Sequence, residues 1–148
     1  MKLAEALLLR ADLQKKIEHL QHRIRPVLIV AAGKQPQEDP VKLIAQLRDA
    51  IEELHQLVVK INKTNNTVTI SGDVSLMEAL AKRDALKMLS ERLRNIRQSA
   101  QVNNFTDKDQ VATIDIKKIQ IEIDQTGRSF REVDSKIQEA NWLNDLIE

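Results

Sequence analysis

The sequence predicts an all-α fold, an antiparallel up-down-up-down bundle of four long helices with coiled-coil-like packing. Apolar residues recur at steps of three and four along most of the 148 residues, which is the spacing of a buried helix face. The composition also favours helices over strands, because aromatic residues make up 2% of the chain and there are only three glycines and three prolines. With 42% hydrophobic residues, we expect one helical-bundle domain over residues 1–148.

The boundaries of the four helices follow from residues that start or stop helices. The first apolar stretch contains Pro26, where a helix can kink, and stops near Gly33, which suits a helix C-cap. Asp39, directly before a proline, suits the N-cap of the second helix, and Thr113 or Asp115 suits that of the fourth. We therefore predict helices at about residues 2–31, 40–64, 75–100 and 114–146.

The connections after the second and third helices differ in pattern. Residues 67–70 alternate between polar and apolar side chains, which predicts an extended connector or a short strand. Ser75 and Glu78 form a capping-box pattern at the start of the third helix. Residues 101–110 are mostly polar, with Phe105 as an apolar exception, and form the longest irregular stretch.

Charge and composition exclude several classes of function. The 23 Lys and Arg residues nearly balance the 22 Asp and Glu residues, so the net charge of +1 gives no field that would steer nucleic acid, and we expect no nucleic-acid partner. The absence of cysteine excludes disulfides, thiolate nucleophiles and Cys-based metal sites. The chain has no secretory signal and no apolar run of bilayer length, so we expect a cytoplasmic protein and no membrane partner.

Two groups of polar residues on single helices do not indicate a site. His19 and His22 are three residues apart, but no third ligand has a diagnostic spacing, so we expect no metal and no cofactor. Arg92, Arg94 and Arg97 make the third helix basic, but no aromatic residues are interleaved with them. We therefore interpret these arginines as a solvated face of the helix.

Polar residues on or beside the apolar stripes are predicted to meet at one end of the bundle. In an up-down-up-down bundle, the beginnings of the odd-numbered helices lie beside the ends of the even-numbered ones. This arrangement gathers two arginines, two aspartates, three asparagines and the tryptophan into one polar layer. The predicted site residues are Arg10, Asp12, Asn62, Asn65, Arg83, Asp84, Asn141 and Trp142.

Three interpretations of this polar layer stay open. It can be a structural layer that fixes the helix register, as buried polar residues do in coiled coils. It can bind a small anion or a peptide carboxylate through Arg10 and Arg83, because paired guanidinium donors match such groups. Asp12 or Asp84 can also act as a general base, but the sequence places no His, Ser or Lys near them as a clear second partner, so we name no catalytic residue.

Four segments, one from each predicted helix, carry a family resemblance: RADLQK at residues 10–15, INKTN at 61–65, ALAKRD at 79–84 and IQEANW at 137–142. Together they resemble the septicolysin-like proteins, a family of small bacterial helical proteins without an established function. The resemblance spans nearly the whole chain and implies a bacterial source and an all-helical fold. It carries no catalytic residue to this sequence, and the lytic action that the family name suggests is at odds with the missing export signal.

These observations lead to three hypotheses of function. The first is a non-catalytic homo-oligomer that binds a partner or small anionic ligand at its polar end, because regular apolar stripes over four heptads often exceed what one chain can cover. The alternative is a membrane-acting, lytic helical protein that lays apolar helix faces on lipid. The third hypothesis is an enzyme that uses Asp12 or Asp84, and it requires a pocket at the polar end.

Overall fold

The computed structural model describes residues 1–103, 106 and 108–148, so Phe105 lies outside the described residues. The helices are α1 (Leu3–Ile24), α2 (Pro40–Thr67), α3 (Leu76–Ser99) and α4 (Ile116–Leu143), and the strands are β1 (Thr69–Ser71) and β2 (Val74–Ser75). The helical class that the sequence predicts is confirmed. A small two-stranded sheet is added to it.

The first helix is shorter than the sequence predicts. α1 ends at Ile24, and one 3-10 turn, Arg25–Val27, follows it. Pro26 explains the early end, because it has no N–H for a helical hydrogen bond and its ring clashes with the carbonyl four residues earlier. The predicted helix end at residue 31 is therefore wrong. Residues 28–32 instead form an exposed apolar loop.

The described chain divides into two compact units. Unit 1 comprises Met1–Val68 and Asn141–Glu148, and unit 2 comprises Thr69–Ala140. Unit 1 contains α1 and α2, whereas unit 2 contains the β-hairpin, α3 and most of α4. The expectations of a single domain and of one four-helix bundle with coiled-coil-like packing stay predictions.

Unit 1 is built around an apolar cluster between α1 and α2. The cluster places the end of α1 against the start of α2, as in an antiparallel pair, and its buried members are Leu20, Ile24, Val27, Leu43 and Ala50. Arg23 pairs with Glu38 across the connecting loop, with Arg23 Nε donating to Glu38 Oε2 at 3.2 Å. Asp39 Oδ1 accepts the N–H of Val41 at 2.9 Å, so the N-cap that the sequence predicts is confirmed.

Unit 2 is an antiparallel pair of α3 and α4. Arg97 on α3 donates to Gln120 on α4, and Arg83 lies 3.6 Å from the Asp134 carboxylate. Arg83 precedes Arg97 by 14 residues on α3, whereas Asp134 follows Gln120 by 14 residues on α4. The two helices are therefore antiparallel, and these contacts fix their register. The steps of three and four residues in the sequence predict a stripe on α4 with the members Ile116, Ile119, Ile123, Thr126, Phe130, Val133, Ile137, Ala140 and Asn144. Four of them are buried, namely Ile123, Thr126, Ile137 and Ala140.

The caps of α3 and α4 also match the sequence patterns. Ser75 Oγ accepts the N–H of Glu78 at 3.2 Å, and the Ser75 N–H donates to the Glu78 carboxylate at 2.8 Å, which is a complete capping box. At the start of α4, Asp115 Oδ1 accepts the N–H of Lys117 at 3.0 Å. The sequence predicts Thr113 or Asp115 as the N-cap of this helix, and Asp115 is the residue that caps it.

The connector between α2 and α3 is a β-hairpin. β1 pairs antiparallel with β2, with Thr69 opposite Ser75 and Ser71 opposite Val74. Gly72 lies in the turn at a φ of 56°, a left-handed conformation that glycine adopts without the steric cost of a Cβ. The short-strand alternative for residues 67–70 is therefore confirmed, although Thr67 itself still belongs to α2.

Candidate functional site

The eight predicted site residues are distributed over both units. Unit 1 contains six of them, and unit 2 contains Arg83 and Asp84. Arg10 and Arg83 are both half-buried, as expected for arginines on an apolar stripe. The shared layer of all eight residues stays a prediction, so the two parts are described separately.

Arg10 is the charged residue of the unit 1 part that is most available to a ligand. It lies on α1, half-buried, and forms no hydrogen bond or ion pair with any residue that the structure describes. Asp12, two residues further along α1, points to the exposed side of the helix. A half-buried guanidinium without a protein partner retains its full set of donors for an anion.

The end of α2 contains a buried threonine that the sequence analysis missed. Thr64 is fully buried, and its hydroxyl donates to the Lys60 carbonyl at 2.8 Å and accepts the N–H of Ile147 at 3.0 Å. Its predicted neighbours on either side, Asn62 and Asn65, are exposed and half-buried respectively. Thr64 follows the buried Ile61 by three residues, so both lie on the same face of α2. This spacing is the sequence signal that could have identified Thr64.

The C-terminal segment of unit 1 pairs with the N-terminus of the chain. The Leu3 N–H donates to the Asn144 carbonyl at 3.0 Å, and the Leu146 N–H donates to the Met1 carbonyl at 2.8 Å. Lys2 Nζ lies 3.1 Å from the Asp145 carboxylate. Together with the Ile147–Thr64 hydrogen bond, these contacts attach both chain ends to α2, and we name them the terminal clamp.

The last two predicted residues of unit 1 lie beside this clamp and differ in exposure. Asn141 is buried, whereas the Trp142 side chain is 58% exposed. A tryptophan this exposed has most of its apolar surface in water, which is typical of residues that contact partners. These two adjacent predicted site residues therefore combine a buried amide with an exposed aromatic side chain.

Arg83 in unit 2 is already neutralised by two carboxylates. Arg83 Nε and Nη2 donate to Asp84 Oδ1 at 3.1 and 3.0 Å, and Nη1 lies 3.6 Å from Asp134 Oδ1. Asp134 is a second residue that the sequence analysis missed, and its place beside the stripe residue Val133 on α4 was the available signal. These contacts favour a structural role for Arg83 and reduce its capacity to bind an anion.

Across residues 1–103, 106 and 108–148, no group of three or more His, Asp or Glu side chains is placed to hold a metal ion. Asp12 and Asp84 are exposed.

Comparison with known proteins places this fold in a family. The sequence profile of a family of unknown function, DUF6847, matches residues 10–146. The chain belongs to this DUF6847 family. The matched range includes all eight predicted site residues. A similar solved structure, with a TM-score of 0.90, 29% sequence identity and 99% coverage of each chain, is that of a functionally unknown conserved protein from Corynebacterium diphtheriae. No curated protein matches the chain.

Proposed function

We propose that this member of the DUF6847 family is a non-catalytic helical protein that self-associates and binds a partner or small anionic ligand at its polar residues. The observation that carries self-association is the amount of surface left exposed. The chain exposes 11079 Å², whereas a folded monomer of 16.9 kDa exposes about 7,700 Å².

The excess remains when the chain is compared with two domains instead of one. Two fully separate domains of half the mass would together expose about 9,300 Å². The chain still exposes about 1,800 Å² more than that. A stable interface buries about 800 Å² per partner, so a second copy has ample surface to cover.

Helix α3 offers a specific surface for a second copy. One face of α3 is buried and includes Leu76, Ala79 and Leu93. About 120° around the helix, at about 100° per residue, lies a second run of exposed apolar side chains. We name it the outer stripe, and its members are Ala85, Met88, Leu89 and Ile96.

An apolar stripe on the solvent side of a helix is costly for a monomer and is typical of coiled-coil contacts. Met88 and Ile96 are 60% and 46% exposed. The proposal therefore places the outer stripes of two or more copies against each other. Coiled-coil-like packing, which the sequence predicts, is part of this proposal for the assembly.

Sedimentation velocity at micromolar concentration tests self-association. The wild-type protein is expected to sediment as an oligomer, and Leu89→Glu is expected to shift it to a monomer, because a carboxylate would be buried in the interface. Ile121→Glu is the matched control, since Ile121 is exposed on α4 without apolar neighbours at helical spacing. A wild-type monomer, or equal dissociation by both variants, would contradict the proposal.

The ligand part of the proposal is supported by Arg10. This guanidinium is half-buried and has no partner among the described residues, so it is poised for a carboxylate or another small anion. The test is a titration with citrate, followed by the backbone amide signals of α1 in NMR spectra. We expect signals near Arg10 to shift in the wild type and not in Arg10→Met. Lys15→Met, which removes an exposed cation of the same helix, is the control.

A second candidate function is lytic action on membranes. The septicolysin-like resemblance suggests it, and the exposed apolar loop of residues 28–32 favours it, since Ile29 is 88% exposed. None of the described helices is long and apolar enough to cross a bilayer, so the loop and amphipathic faces would have to act at the lipid surface. Dye release from neutral and anionic vesicles tests this candidate.

The controls for dye release come from the same chain. Ile29→Asn is expected to abolish release, whereas Val41→Asn, at an exposed position outside the loop, is expected to leave it unchanged. If the wild-type protein releases no dye from either kind of vesicle, the lytic candidate is excluded. A bacterial source and a cytoplasmic location stay predictions from the sequence.

A further inference from the structure

A small recess lined by three arginines lies where α3 meets the middle of α4. It has a volume of about 270 Å³ and belongs entirely to unit 2. The lining residues are Arg94 from α3 and Ile123, Asp124, Gly127, Arg128 and Arg131 from α4. None of them is among the eight predicted site residues.

The positive charge in this recess is not neutralised. Within the described part of the chain, Arg94, Arg128 and Arg131 form no hydrogen bond or ion pair. The one acidic lining residue, Asp124, is held by another group, because its Oδ1 accepts a hydrogen bond from Gln120 Nε2 at 2.9 Å. Three guanidinium groups and one carboxylate leave a net charge of +2 at the recess.

The acidic residue is also fixed in this position by a chain of contacts. Gln120, which donates to Asp124, in turn accepts a hydrogen bond from Arg97 on α3. Through this chain of contacts, Gln120 holds one oxygen of the Asp124 carboxylate. Three guanidinium groups line the same recess, and like charges that share a recess repel one another unless an anion joins them.

Gly127 lines the recess without a side chain. A glycine in a helix interior is less favourable than alanine, so its presence calls for a reason. A Cβ at this position would contact only Arg131 Nη1, at 3.6 Å, and nothing on α3. Close helix packing therefore does not require the glycine, and the space that it leaves lies directly under the Arg131 guanidinium.

We propose that this recess binds a phosphate group, as inorganic pyrophosphate or as the phosphorylated end of a small molecule. Guanidinium groups donate paired hydrogen bonds to phosphoryl oxygens, and arginines from two helices can surround one phosphate. A phosphate ester carries a charge of about −1.5 to −2 at neutral pH, which matches the net charge of the recess better than a single carboxylate does. The proposal is independent of self-association and of the Arg10 site.

Calorimetric titration of the full-length protein with pyrophosphate, at an ionic strength of about 50 mM, tests this assignment. We expect one saturable site per chain, with binding weakened about tenfold or more in Arg94→Gln and in Arg128→Gln. Arg92→Gln is the matched control, because it makes the same change of charge two residues away on another side of α3. The affinity of Arg92→Gln for pyrophosphate is expected to stay within about twofold of that of the wild type.

A third variant separates a shaped site from general electrostatic attraction. Gly127→Leu leaves every charge in place and fills the recess, so it is expected to abolish saturable binding, and circular dichroism verifies that the helices remain. Unchanged binding in Gly127→Leu, or equal weakening by Arg92→Gln and Arg94→Gln, would overturn the proposal. Citrate binding as tight as pyrophosphate binding, or no saturable binding to wild type, would overturn it as well.

Discussion

In unit 1, α1 and α2 are joined by apolar side chains and by the terminal clamp, whereas in unit 2 the buried apolar side chains of α3 and α4 are accompanied by polar pairs between the two helices. Leu20, Ile24 and Leu43 pack together in the first pair. In the second, Arg83 contacts Asp134 and Arg97 contacts Gln120. Both helix pairs thus bury apolar side chains, and the pair in unit 2 adds polar contacts between its helices.

The difference teaches how register and stability are divided between the units. Apolar contacts are non-directional and contribute most of the free energy of folding, whereas hydrogen-bonded pairs contribute little net free energy but fix which residues face each other. Unit 2 therefore has a well-defined register, and among the described residues fewer of its apolar side chains are buried than in unit 1. Its outer stripe leaves apolar surface that a second copy can bury.

The largest effect is expected from removing apolar volume in unit 1. Leu43→Ala should lower the free energy of unfolding by about 2–5 kcal/mol, because Leu43 is 3% exposed and belongs to the apolar cluster. Val41→Ala, at a 74% exposed position of the same helix, should change it by less than about 0.5 kcal/mol. Chemical denaturation at one fixed protein concentration measures both. Equal effects would mean that the cluster does not stabilise unit 1.

The next largest effect is expected at the terminal clamp. Thr64→Val keeps the shape of the side chain but leaves the Ile147 N–H without its acceptor, so it should cost about 1–3 kcal/mol and speed amide exchange at Ile147. Thr67→Val is the control, because the Thr67 hydroxyl is exposed and donates only to the Lys63 carbonyl. If Thr67→Val costs as much as Thr64→Val, the clamp contributes nothing specific.

A smaller effect is expected from the polar contacts of unit 2. Asp134→Asn should cost less than about 1 kcal/mol, because the pair is partly exposed and Arg83 keeps Asp84 as a partner. Urea denaturation of the variant and the wild type measures the difference. A loss as large as that of Leu43→Ala would show that the polar pairs, and not apolar burial, stabilise unit 2.

The smallest effect is expected at the capping box of α3, and it depends on pH. Hydrogen bonds from the Ser75 N–H and then the Ser75 hydroxyl lower the pKa of Glu78 below its usual value of 4.5. When folding lowers the pKa of a carboxyl group, its carboxylate stabilises the folded state fully at pH values above the pKa of the unfolded chain. This stabilisation is lost as the pH falls through the lowered pKa of the folded state. Glu78→Gln should therefore be less stable than wild type at pH 7, and the difference should narrow in acid.

The control for this pH dependence is Glu91→Gln. Glu91 is exposed on the same helix, so the substitution changes the net charge equally without touching the cap. Thermal denaturation at several pH values should give a difference from wild type that narrows in acid for Glu78→Gln alone. A difference that does not change with pH would contradict the role of the Glu78 carboxylate.

The helices and caps could be predicted from the sequence because their signals are local. The stripe from Ile123 to Ala140 and the capping box of Ser75 depend only on residues a few positions apart. The end of α1 was predicted too late, because the apolar spacing continues through residue 31 although Pro26 interrupts the backbone hydrogen bonds.

The contacts of the candidate sites could be predicted less well because they join residues distant in sequence. Thr64 accepts the Ile147 N–H, and Asp134 lies near Arg83. Both contacts depend on how the helices are aligned with each other, and the spacing of apolar residues in the sequence does not determine that alignment. Arg94 was interpreted as part of a solvated face, because nothing on α3 indicates that Arg128 and Arg131 of α4 line the same recess.

Thiol labelling at the outer stripe tests the central claim, self-association through α3, most directly. The chain has no cysteine, so Leu89→Cys and Ile121→Cys each introduce a single reporter at an exposed apolar position. The account predicts that the thiol of Leu89→Cys reacts slowly at high protein concentration and quickly after dilution, while that of Ile121→Cys reacts quickly at both. Equal and concentration-independent rates for the two thiols would contradict it.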